Sequence, residues 1–83
     1  MKPETQTFHV GMAPFLDANG RRRASYQILN AHGQAIATCD LCDGLVTRLH
    51  TLPYVDPGAF MAMAKHHDNT TEPLAFPHHA NAL

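Results

Sequence analysis

Alternation opens the chain. From Thr5, the residues Phe8, Val10 and Met12 fall on one side of an extended segment, with Thr7, His9 and Gly11 on the other. That period of two is the mark of a half-buried strand. Ala13-Pro14 either ends it or places it at a sheet edge, because proline cannot donate to a ladder. Phe15-Leu16 extends the apolar run up to Asp17-Ala18-Asn19-Gly20, a turn signal in which Asn and Gly tolerate positive φ.

A hairpin is predicted next. Ser25-Tyr26-Gln27-Ile28-Leu29 and Gln34-Ala35-Ile36-Ala37-Thr38-Cys39 flank Asn30-Ala31-His32-Gly33. A short loop ending in glycine suggests a type I turn with a glycine bulge. Pairing Asn30 with Gln34 sets Ile28 opposite Ile36 and Tyr26 opposite Thr38. Leu29, Ala35, Ala37 and Cys39 then form the other face.

At Asp40 the period changes. Leu41, Leu45, Leu49 and Leu52, with Val46, fit a helical stripe that Asp40 caps and Pro53 stops. Gly44 weakens that helix by about 1 kcal/mol relative to alanine. Asp56-Pro57 starts a second helix, running to about His67, with Phe60, Met61 and Ala64 on its apolar side. Pro73 and Pro77 break any later element, leaving Leu74 and Phe76 to dock an extended strap if the tail is ordered. The expectation is an α+β domain over residues 1–68, with a three-stranded antiparallel sheet followed by two short helices (β-β-β-α-α). A Pro- and His-containing extended C-terminal tail over residues 69–83 completes it.

Composition narrows the classes. The chain has 83 residues, a formal charge of −1, two Cys and seven His. At this size about 60% of the unfolded surface is buried, so one marginal core is expected. A second copy, or the tail itself, would complete it at an exposed hairpin edge, which makes a homodimer an expected partner. Near-neutral charge argues against a general polyanion binder. Two cysteines do not make a disulfide scaffold. No signal peptide is read, and no run approaches the ~18 apolar residues of a membrane span, so a cytoplasmic domain with no membrane partner is expected.

Candidate chemistry is sparse. Cys39-Asp40-Leu41-Cys42 could supply two zinc ligands, with His50 and His66 or His67 as candidates for the others and His66 taken as the third; the alternatives are a redox pair at a helix start and two ordinary packed thiols. Adjacent histidines such as His66-His67 point about 100° apart on a helix and do not readily share an ion. Ser25 is the single serine and lies in a predicted strand rather than a nucleophile elbow, so no enzyme and no cofactor are expected. Arg21, Arg22 and Arg23 form the one concentrated charge. They could reach phosphates beside a sheet that enters a DNA groove, or form a solvated edge that discourages strand pairing.

The segment from Arg23 to Cys39, continuing through Leu52, resembles a recurrent unit in small accessory proteins of phages and mobile elements. In these an aromatic strand, an Asn/Asp-Ala-x-Gly turn and an Ile-Ala strand precede a short helix. The resemblance implies a non-enzymatic protein that binds and inhibits or modulates a host protein or nucleoprotein complex, as the anti-CRISPR group does. Arg21, Arg22, Arg23, Met63 and Phe76 are the expected contact residues, since arginine, aromatic and methionine side chains dominate interfaces. The alternatives are a small DNA-binding regulator using the sheet and Arg21–Arg23, and a zinc-stabilised module through Cys39 and Cys42.

Overall fold

A computed structural model describes residues 5–74. The element order is β1 (Thr7–Leu16), β2 (Arg22–Leu29), β3 (Ala35–Cys42), β4 (Leu45–Thr51) and α1 (Pro57–Thr70). The four strands form one antiparallel meander in the order β1-β2-β3-β4. The protein is α+β, but the expected three strands and two helices are four strands and one helix.

The correction has a local cause. The segment read as a first helix holds the end of β3, a two-residue turn and β4. Asp43 and Gly44 both have positive φ, 52° and 79°, which is the requirement of a type I′ hairpin turn. Leu41 therefore faces Val46 across the hairpin instead of stacking along a helix. Asp40, expected as a helix cap, lies in mid-strand.

The other two turns are chemical twins. Asp17 N donates to Arg21 O and Asn30 N to Gln34 O, each at 2.9 Å, while Gly20 N and Gly33 N close onto Asp17 O and Asn30 O. The first side chain repeats the likeness. Asp17 Oδ1 accepts from the amides of Asn19 and Arg21, and Asn30 Oδ1 from those of His32 and Gln34. Gly20 and Gly33 take φ of 75° and 78°, the left-handed position that ends such a turn.

Two irregularities shift the expected registers. The ladder moves between Ile28 and Leu29, so Ile28 faces Ala37 and Tyr26 faces Cys39 rather than Ile36 and Thr38. Ala37, Cys39 and Leu41 thereby join Ala24, Tyr26 and Ile28 on one buried face. A second shift, between Val10 and Met12, turns Met12 to the opposite face from Phe8 and Val10. Pro14 does not end β1; it lies within an edge strand, where a missing N–H is tolerated.

Helix α1 covers the buried face over β2 and β3. Asp56 caps it, its Oδ1 accepting from Gly58 N at 3.0 Å and Ala59 N at 3.3 Å, with Pro57 in the first turn. Phe60 and Ala64 point into the core one turn apart. The helix runs on to Thr70, past the expected end near His67 and across the expected boundary at residue 68. Leu74 then forms a short parallel bridge with β1: Leu74 N donates to Pro14 O at 2.8 Å and Leu16 N to Leu74 O at 3.1 Å. Leu74 is thus held through its backbone while its side chain stays 61% exposed, and Phe76, the other residue expected to dock, lies outside the described residues.

Candidate functional site

One sheet face is sealed and the other is open. On the sealed side Phe8 stacks on Tyr26 with ring centroids 5.6 Å apart, and His67 packs edge-on against Tyr26 at 5.2 Å. The Tyr26 hydroxyl meets His67 Nδ1 at 3.1 Å, and Thr71 Oγ1 approaches the same nitrogen at 3.2 Å. Burial, and next the Asp68 carboxylate, push the Tyr26 phenol up to about 12. Arg22 crosses from β2 to the end of α1. Its Nε lies 3.1 Å from Asp68 Oδ1, and its terminal nitrogen donates to the carbonyls of Asp68 and Thr71. A cation on the last carbonyls of a helix also complements its dipole. Arg22 is therefore a brace between sheet and helix.

The open face is built in cross-strand rows. His9, Gln27, Thr38 and His50 form one row by register, and Met12, Ser25, Asp40 and Arg48 the next. A shallow concavity of ≈ 480 Å³ lies over the second row. Within it Ser25 Oγ donates to Asp40 Oδ1 at 2.8 Å. Arg23, one residue from the brace, points to this side as strand alternation requires, and its Nε sits 3.0 Å from Asp17 Oδ2. The amide of Arg21 and then the guanidinium of Arg23 hold the Asp17 carboxyl below its usual range. Asp43 accepts from the amide of Arg22 at 2.9 Å.

Those contacts leave an asymmetry of charge. The carboxylates of Asp17, Asp40 and Asp43 each accept a hydrogen bond from the protein itself. Arg48 and Arg21 have no ion-pair partner among the described residues. The charge left uncommitted at these positions is positive, and it is flanked by exposed apolar side chains, Met12 at 47% and Leu45 at 70%.

The structure divides the expected contact residues. Arg22 is committed to Asp68, Arg23 belongs to the open face, and Arg21 is exposed in the β1–β2 turn. Met63 is exposed on α1, on the opposite side of the domain from Met12, and Phe76 is outside the described residues. Arg48 escaped the sequence reading, and His50 entered it only as a candidate zinc ligand, because both were placed on a helix. The Asp43-Gly44 pair flanked by β-prone residues is the signal that would have found them.

Cys39 and Cys42, three residues apart on a strand, project to opposite faces. Cys39 faces Tyr26's row in the core and Cys42 faces Arg23's row outside it. Burial raises the Cys39 thiol above its ordinary value. Two thiolates on opposite sides of a strand do not converge on one ion, and His66 is exposed on α1. Among the described residues no three His, Cys, Asp or Glu side chains gather as a metal site. No helix among them is long and apolar enough to cross a membrane.

Comparison of the chain with protein-family models, with curated proteins and with solved structures found no match.

Proposed function

We propose that this protein acts by binding, without turnover, and that its open sheet face docks a host protein through a carboxylate-bearing, partly apolar patch. The observation that carries this reading is the combination on that face of Arg48, without an ion-pair partner among the described residues, with exposed Met12 and Leu45, beside carboxylates already engaged within the protein. An interface of this kind joins apolar contact to a few charged hydrogen bonds. The resemblance of the Arg23–Cys39 hairpin to small phage and mobile-element proteins, the part left once β4 replaces the expected helix, favours inhibition or modulation of the partner as the outcome. A buried free thiol at Cys39 suits the reducing cytoplasm.

A second reading has one observation behind it. Arg48, His9 and His50 add donors to a face that also carries Arg23, which suits phosphate contacts from nucleic acid. The formal charge of −1 and the exposed Leu45 and Met12 weigh toward protein.

The test is affinity capture from a bacterial lysate, with and without nuclease, by the wild-type chain and three variants. Arg48→Glu and Thr38→Arg on the open face are expected to lose the partner, while Ala62→Arg on the exposed side of α1 keeps it. Capture abolished by nuclease supports nucleic acid instead. Capture indifferent to Arg48→Glu and Thr38→Arg contradicts the face as the site.

A further inference from the structure

The sheet has two edges, and the fold treats them differently. The β1 edge is interrupted by register shifts between Val10 and Met12 and between Met12 and Phe15. It contains Pro14, and its last residues are already paired with the Leu74 backbone. These are the devices by which sheets resist adding a further strand. The β4 edge has one of them, a register shift opposite Asp40/Leu41 that leaves Thr47 as an extra residue, but no proline and no backbone partner among the described residues. Leu45–Thr51 contains no proline and no lysine, and nothing among the described residues lies along its outer side. Its sequence, Leu-Val-Thr-Arg-Leu-His-Thr, leaves Leu45 70% and Leu49 38% exposed, one on each face of the sheet.

We infer that β4 pairs antiparallel with β4 of a second copy, joining two four-stranded sheets into one continuous eight-stranded sheet. The choice of a second copy follows from closure. Head-to-tail addition would need an open β1, which is blocked, so β4-to-β4 pairing about a two-fold axis is the self-association the edges permit, and it stops at two. Leu49 sits on the helix side next to Cys39, beyond the part of the sheet that α1 covers, and gains cover from the neighbouring copy. The dimer places both open faces side by side.

Sedimentation velocity or native mass spectrometry of the full chain across a concentration series tests this. The expected mass is twice 9.1 kDa. Leu49→Lys, an edge lysine, is expected to raise the dimer dissociation constant at least tenfold, roughly 1.4 kcal/mol. Met63→Lys on α1 should leave the mass unchanged. Circular dichroism melts verify folding of each variant; should Leu49→Lys not fold, Leu45→Lys, at a more exposed site, decides in its place. A wild-type monomer throughout the series overturns the inference, as does a dimer that folded Leu49→Lys or Leu45→Lys leaves intact.

Discussion

The Arg22 guanidinium, carried on β2, lies 3.1 Å from the carboxylate of Asp68 on α1, 46 residues away in sequence. Asp68 is 2% exposed and would be a costly charge to bury alone. The same guanidinium closes the carbonyls of Asp68 and Thr71, so one side chain neutralises the acid and ends the helix.

Removing the brace should therefore hurt more than removing its neighbours. Arg22→Ala strands the buried Asp68 carboxylate and is expected to cost about 3 kcal/mol. Arg21→Ala, in an exposed turn, is expected to stay within about 0.5 kcal/mol. Urea unfolding of the two variants checks the contrast, and equal losses would mean that Arg22 is not the link between sheet and helix.

Alkaline stability should follow Tyr26. Its folded pKa of about 12 lies above the ordinary 10.0, so the folded state holds this proton more tightly. The contribution is complete below pH 10 and is lost as pH rises from there toward 12, on the order of 2 kcal/mol in all. Tyr26→Phe is expected to remove most of that alkaline loss, at a fixed cost near 1 kcal/mol for the bond to His67. Unfolding free energies measured at stepped pH values separate the two effects.

The β3–β4 turn offers a test of the hairpin. Gly44→Ala puts a Cβ at φ 79° and should lower stability by about 1 kcal/mol, because L-residues disfavour that region. A helix through the same residues would respond in the opposite sense, since alanine favours helix over glycine by a similar amount. Thermal melts of Gly44→Ala read the sign directly.

That sign marks where the sequence was legible and where it was not. The Asn30–Gln34 turn, the Asp56-Pro57 helix start and the position of Pro14 at an edge were readable because each depends on residues close in sequence. The Leu41, Leu45, Leu49 spacing misled, because an i, i+4 stripe of leucines fits a helix as well as two strands joined by a tight turn. The shift between Val10 and Met12 falls at Gly11, a glycine within a strand pattern that could have signalled a bulge, whereas the shift at Ile28/Leu29 has no such marker. The open face was half visible. Ser25, Gln27 and Thr38 followed from the hairpin, whereas Arg48, His50 and Met12 depended on the hidden turn and the hidden bulge.

Thiol chemistry should separate the two cysteines. Cys39 is buried with a raised pKa and Cys42 is half-buried on the open side. Under native conditions Cys42 is expected to react with iodoacetamide much faster than Cys39, and chelator is expected to leave the melting temperature unchanged. A chelator-induced unfolding transition would contradict the placement of these side chains on opposite faces.

Met12 and Met63 supply the most direct test of the docking face. They are almost equally exposed, 47% and 44%, yet one lies on the open sheet face and the other on the helix. Hydroxyl-radical footprinting of the protein, free and bound to its captured partner, reads both in one experiment. The expected result is Met12 protected from oxidation in the complex with Met63 unchanged. Protection of Met63 with Met12 unchanged would move the binding surface to α1 and contradict the open face as the site.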